Sequence, residues 1–339
     1  RDGRARLSLR SPSGPLQSLR VDLNMPVALP SDGVAAGLRG RAPARASVRL
    51  DDFDLAVAAA FAPEPVAIDG RLDLDASLEG TLARPRLDLT LTGRELVFDG
   101  TAMGDLKATV GYAANTGQAK LELSHPSVRT ATVELETALG LDFATPRVTW
   151  SPGAAHRAHV LVEAAQLAMV SPWLPEPALG GTLDLELRST GNLVEPQLDA
   201  HLAVHELSVD ERLVGSFASD MGYADDAAWL RASGSGPALE GLGITARVPL
   251  RLSPGTGAVE WKSRDAHELD VALVGLHLQE VMAWLPEPLD LEGRGDTFVH
   301  VRGPATAPAV ETSLAFDRLR YGGRTVGRLE LDARLADAL

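Results

Sequence analysis

Leu72-Asp-Leu-Asp-Ala-Ser-Leu-Glu79 places an apolar residue at every even position and a polar one at every odd position. That period of two marks a strand with one dry face and one wet face. The pattern continues in Leu87-Asp-Leu-Thr-Leu91 and Leu183-Asp-Leu-Glu-Leu187, and over the longer run from Val133 to Phe143. Further stretches lie at Leu198–Val204, Ile244–Leu252, Leu269–Leu273, Val299–Val301, Val310–Phe316 and Leu329–Asp332. Gly, Pro, Asn or Asp separates them. The expectation is roughly eighteen to twenty strands in an antiparallel sheet with one wet and one dry face.

The composition agrees. Of 339 residues, 45% are hydrophobic and only 4% aromatic, so aliphatic side chains carry the dry face. Glycine and proline, 32 and 22 residues, supply many turns. The net charge of −14 argues against nucleic-acid binding, which needs a basic face to displace counterions. Without cysteine there is no disulfide, thiolate metal site or cysteine nucleophile. The longest apolar stretch, Leu55–Pro63, is far shorter than the ~20 residues that span a bilayer. The chain opens on Arg1 with no leader pattern and reads as a soluble piece of something longer.

A repeat organises the strands. Pro63, Pro175 and Pro286 sit in Ala-Pro-Glu-Pro, Leu-Pro-Glu-Pro and Leu-Pro-Glu-Pro, at spacings of 112 and 111. Gly80, Gly191 and Gly303 follow at 111 and 112, as do Gly104, Gly215 and Gly327. Gly111-Tyr112 recurs as Gly222-Tyr223. The resulting division is the end of a truncated repeat over 1–54, full repeats over 55–166 and 167–277, and the first half of a third over 278–339. In each repeat one segment departs from alternation just before Pro-Glu-Pro, at 55–61, 167–174 and 278–285. Leu278, Val281, Met282 and Leu285 form a helical stripe, and proline then stops the helix. Phe61, Trp173 and Trp284 mark the helix ends, as plugs packed on the sheet or as lids over it.

The wet side carries Asp73, Asp75, Glu79, Glu134, Glu136, Asp184, Glu186, Asp270, Glu330 and Asp332. The dry side carries Leu72, Leu74, Leu78, Leu87, Leu89, Leu91, Val133, Leu135, Leu139, Leu141 and Phe143 in the first repeat. In the second it carries Leu183, Leu185, Leu187, Leu198, Leu202, Val204, Ile244, Val248, Leu250, Leu252, Leu269, Val271 and Leu273. Val299, Val301, Leu314 and Phe316 continue it into the third. Nineteen strands at ~4.8 Å would extend on the order of 90 Å, and a flat sheet of that length would expose its whole dry face. It must curl, pair with another sheet, or hold something apolar.

Gly70-Arg-Leu-Asp-Leu, Gly80-Thr-Leu-Ala-Arg-Pro-Arg-Leu-Asp-Leu and Gly104-Asp-Leu form a cadence that recurs through nearly the whole chain. It resembles the TamB family within the AsmA-like group. The third copy departs, with Gly303-Pro-Ala replacing Gly-Thr-Leu. The resemblance implies a mainly β protein: an elongated, curled antiparallel sheet of the β-taco or repeating β-groove kind, with an apolar interior. It implies a protein of the Gram-negative periplasm, tethered to the inner membrane by a helix absent here. Its implied partners are phospholipid and, through regions outside this chain, a TamA-like outer-membrane protein and outer-membrane barrel proteins. The dry-side residues would be the lipid-facing lining, with Phe61, Trp173 and Trp284 as lids. A scaffold for outer-membrane barrel assembly is the alternative role. A parallel β-helix enzyme or adhesin is more distant, because its rungs would be far shorter than the repeat found here.

No catalytic constellation is expected, and no cofactor. His201-Ala-Val-Ala-His205 has helical metal-pair spacing, yet its neighbours alternate, so both histidines lie on the wet face of a strand. His156-Arg-Ala-His159 lacks a third ligand. Gly241-Leu-Gly-Ile-Thr-Ala246 matches a dinucleotide glycine pattern but leads into a strand, where its glycines are turn residues.

Overall fold

A computed structural model describes residues 2–10, 16–28, 37–38, 42–59, 67–143, 147–169, 177–253 and 257–335. The protein is mainly β, with 79% of it in strands and few helical turns. Two compact units divide it: Arg1–Val162 with Thr190–Asn192, and Glu163–Ser189 with Leu193–Leu339.

The first unit holds β1 (Asp2–Arg10), β2 (Leu16–Ala28), β3 (Gly37–Leu38), β4 (Arg45–Asp54), β5 (Ile68–Thr81), β6 (Arg84–Phe98), β7 (Thr101–Ala113), β8 (Thr116–His125) and β9 (Val128–Ala138). The short β10 (Gly140–Asp142) and β11 (Arg147–Thr149) pair only with each other, and β12 (His156–Gln166) runs across the boundary. β1 pairs with β2, β2 with β4, and each later strand with its successor as far as β9, always antiparallel.

The second unit holds β13 (Leu179–Gly191), β14 (Pro196–Val209), β15 (Arg212–Ala224), β16 (Ala227–Gly236), β17 (Leu239–Ser253), β18 (Ala258–Trp261), β19 (Ala266–His277), β20 (Leu291–Pro304), β21 (Ala309–Tyr321) and β22 (Arg324–Leu335). Its ladder runs from β14 to β22 in chain order, except that β17 passes to β19 and carries β18 as a side hairpin.

Local backbone geometry recurs at the spacing of the sequence repeat. Asp99-Gly100, Asp210-Glu211 and Gly322-Gly323 turn with both residues at positive φ, as do Ala114-Asn115 and Asp225-Asp226. Such left-handed turns match the strand twist. Register shifts recur at Gly93/Leu96, Val204/Leu207 and Phe316/Leu319, where Glu95, Glu206 and Arg318 adopt φ of 51°, 52° and 55°. Register also shifts at Leu50/Phe53 and Leu273/Leu276, just before two of the expected helices, where Asp52 and Gly275 adopt φ 53° and 63°, and Ala164, at the matching place before the other, adopts φ 49°. The helical segments that follow are short among the described residues. α1 is Leu55–Ala59, residues 167–169 form a single 3₁₀ turn, and α2 is Leu278–Met282. The remainder of the first two expected helices, with Phe61 and Trp173, lies outside the described residues.

Candidate functional site: the apolar face

Antiparallel partners directly opposite each other project to the same side of the sheet. The register therefore shows which dry-side residues meet. In the first unit one row runs Leu9, Leu19, Leu50, Leu74, Leu91, Ala108, Leu121, Val133. Its neighbour runs Leu7, Val21, Val48, Ala76, Leu89, Val110, Ala119, Leu135. Each crosses eight strands without a polar residue. Leu78, Leu87 and Tyr112 continue the face on one flank, and Phe53, Leu72, Gly93 and Leu106 on the other. Leu139, Leu141 and Phe143 do not join these rows: Leu141 lies opposite Val148 in the β10–β11 hairpin.

In the second unit a row runs Ala200, Met221, Leu230, Ala246, Leu269, Val301, Val310, Leu335. Beside it run Leu202, Ser219, Ala232, Ile244, Val271, Val299, Thr312, Ala333, and then Val204, Phe217, Gly234, Leu242, Leu273, Thr297, Leu314, Leu331. Leu198 ends on Tyr223 and Phe316 on Leu329. Val248 is opposite Ala228, while Leu250 and Leu252 face Trp261 and Val259 of the side hairpin. Leu183, Leu185 and Leu187 lie half-buried on β13.

These rows are not a closed core. Only eight apolar residues among those described are buried, including Leu82, Tyr112, Tyr223 and Phe316. Row members such as Val110 at 42% and Leu135 at 43% remain open to solvent. The chain exposes 21633 Å² for 35.8 kDa. Two separate compact domains of half that mass would together expose only about 16,000 Å².

The opposite face is charged and internally paired. His201, Asp220, Arg231, Thr245, Asp270, His300, Glu311 and Arg334 form one cross-strand row. His201 Nδ1 lies 2.7 Å from Asp220, and His300 pairs with Asp270. In the first unit Lys120 pairs with Glu122 and Glu134, which raises the lysine pKa. Two depressions open on this face. One of 1020 Å³ is lined by Asp220, Arg231, Thr245, Asp270 and His300, and one of 470 Å³ by Asp88, Thr90, Gln118, Lys120 and Glu134. His201 and His205 do lie on the wet face, but each is matched to a carboxylate rather than to the other. Among the described residues no His, Asp and Glu cluster has metal-binding geometry.

Asp73 and Asp184 do more than solvate the wet face. Asp73 Oδ1 accepts the Asp52 N–H at 2.7 Å, Asp184 Oδ1 the Ala164 N–H at 2.7 Å, and Asp296 Oδ1 the Gly275 N–H at 2.7 Å. Each thereby fastens the left-handed residue of a bulge. The second oxygen of Asp73 meets Arg94 at 2.7 Å, and that of Asp184 meets His205 at 3.0 Å. Trp284 is 43% exposed at the end of α2. Sequence reasoning passed over the stretches Leu7–Leu9, Leu19–Leu23 and Val48–Leu50, which complete the first unit's rows and show the same alternation. It also passed over Trp150 and Trp261, whose signal is their own recurrence one repeat apart.

The chain matches no protein-family model, no curated protein and no solved structure.

Proposed function

We propose that this chain is a segment of a TamB-like, bridge-type lipid-transfer protein whose apolar face carries phospholipid acyl chains through the periplasm between inner and outer membranes. The observation that supports this reading is the unbroken apolar row, Leu9 to Val133, which crosses eight strands with no member buried and with Leu9, Leu121 and Val133 exposed. At ~4.8 Å per strand the row extends roughly 34 Å, more than twice the ~15 Å depth of one leaflet's hydrocarbon. Covering a half-exposed Leu or Val contributes about 1 kcal/mol per side chain, half the value of full burial, so an acyl chain is a favourable cover.

Transfer in this reading is passive. The row repeats Leu, Val and Ala, so dispersion contacts change little as a chain shifts from one strand to the next. Curling of the sheet around the chains would let the headgroups stay in water. The helices at 55–59 and 278–282, each placed directly after a bulge, would act at the margin of the face. The TamA-like partner and the inner-membrane tether belong to regions outside this chain.

The test is lipid capture. Photo-crosslinkers at Leu89 and Leu269 should take up phospholipid from envelope membranes, and those at Thr90 and Asp270 should not. Capture from both faces alike rejects the reading. Capture of unfolded barrel segments without lipid favours the assembly scaffold instead.

A further inference from the structure

Two side hairpins leave the ladders. In the first unit Leu141 of β10 lies opposite Val148 of β11. In the second, Leu250 and Leu252 of β17 lie opposite Trp261 and Val259 of β18. Opposed residues share a side, and Leu250 and Leu252 share theirs with Ala246 and Val248. Val259 and Trp261 therefore prolong the apolar face past the ladder's edge. They are 63% and 54% exposed, and Val148 and Trp150 are 71% and 56% exposed. Trp150 also lines a 510 Å³ depression with Leu139, Leu141 and Arg147.

A histidine follows each tryptophan at the same short interval: Trp150 with His156, and Trp261 with His267, the second pair one repeat after the first. Trp261 stacks on His267 with ring centroids 5.1 Å apart and planes at 16°. His267 lies on the apolar face, two positions before Leu269. Only 9% of it is exposed, and its Nε2 is buried without a hydrogen-bond partner. An unpartnered buried imidazole nitrogen lowers stability, and a phenyl ring of similar shape would avoid that cost. Tryptophan, apolar with one N–H, suits a boundary between hydrocarbon and water.

The geometry points to Trp261 and His267 as the place where the ester level of a glycerolipid is recognised, its acyl chain lying along the Ala246–Leu269–Val301 row. The inference rests on the lipid reading and adds to it where the headgroup end sits. Trp261 turns aside to lie against the first acyl carbons, and an ester carbonyl oxygen accepts the His267 Nε2–H. Trp150 and His156 stand at the same sequence interval one repeat earlier.

The test uses single-tryptophan chains. One keeps Trp261. The other keeps Trp229, which lies on the charged face beside Gly222 and Arg247. Both are titrated with a short-chain phosphatidylcholine brominated next to its esters, below its micellar concentration. Trp261 emission should be quenched several-fold more strongly than that of Trp229. His267→Phe should melt at a higher temperature without lipid and bind the same lipid about tenfold more weakly, as expected when one buried hydrogen bond is lost. Equal quenching of the two tryptophans, or unchanged affinity in His267→Phe, overturns the inference. If a crosslinker at Leu269 captures the lipid while Trp261 stays unquenched, the ester-level site falls and the lipid reading stands. If neither captures nor quenches, both fall.

Discussion

The Tyr223 hydroxyl accepts the backbone N–H of Leu252 at 3.0 Å, and one repeat earlier the Tyr112 hydroxyl accepts that of Leu141 at 2.9 Å. Both residues are 5% exposed, and both hydroxyls also reach the turn that follows, Asp226 at 3.4 Å and Asn115 at 3.3 Å. Each tyrosine latches a side hairpin to the turn beside it. Tyr223→Phe keeps the ring and strands the N–H, so it should cost about 1–2 kcal/mol. Urea unfolding gives the magnitude. Hydrogen exchange should show the Leu252 amide losing protection while the β19–β20 ladder keeps it.

The bulges predict an asymmetry between repeats. Ala164 holds φ at 49° where Gly275 stands one repeat later. A left-handed residue other than glycine costs about 1–2 kcal/mol, partly offset by the entropy glycine loses on folding. Ala164→Gly should therefore stabilise by roughly 0.5–1 kcal/mol. Gly275→Ala should do the reverse, because its new Cβ would also come within 2.7 Å of the Glu240 side chain. Paired thermal melts decide it, and equal signs would refute it.

Asp226 sets an acid limit. Hydrogen bonds from Arg251, at 2.9 Å, and Lys262, at 2.9 Å, hold its carboxyl at about 2, below the ordinary 3.8. A depressed folded-state pKa adds stability above the unfolded value and loses it as the pH falls. The contribution should be complete above pH 4 and fade between about 4 and 2. Asp226→Asn should flatten that limb of the stability profile in acid unfolding. An unchanged profile would show that the pair is screened by solvent.

Leu185→Arg separates an open face from a packed core. Leu185 is half-buried, so an arginine there can carry its guanidinium to water along the apolar surface. The expected cost is about 1–2 kcal/mol, with folding retained and lipid capture at Leu269 reduced. Asp199→Arg, exposed on the opposite side of β14, should be silent. Asp184 is unsuitable as that control, because its carboxylate fastens the Ala164 bulge. Failure of Leu185→Arg to fold would indicate a closed core.

Alternation made the strands legible, because a period of two needs no tertiary information. The repeat offset likewise aligned Gly80, Gly191 and Gly303, and Gly104, Gly215 and Gly327, all of which the structure then shows at positive φ. Side-chain partnership was not legible. Asp73 and Asp184 read as solvated carboxylates because the bulge N–H groups they accept come from another strand. Leu250 and Leu252 read as ordinary row members, whereas β17 changes partner there from β19 to β18 of the side hairpin. The helix expected over 278–285 is α-helical over Leu278–Met282 and then tightens into i→i+3 turns, with the Trp284 and Leu285 N–H groups donating to the Val281 and Met282 carbonyls.

The two repeat spacings, 111 and 112, differ by a single residue, and its location carries a consequence for how such chains change length. From Pro63 to Gly70 there are seven steps, from Pro175 to Gly181 six, and from Pro286 to Gly293 seven. The extra residue falls between Pro-Glu-Pro and the strand that follows; in the third copy that stretch, residues 286–290, lies ahead of β20 and outside its ladder. Inside a strand it would exchange the two faces from that point to the next turn, turning aspartates onto the apolar side. Insertions and deletions of one residue are thus expected to be neutral in that connection and intolerable in β5, β14 or β20. The connection is where copies of this unit can drift in length, or be duplicated, without breaking the continuity of the apolar face.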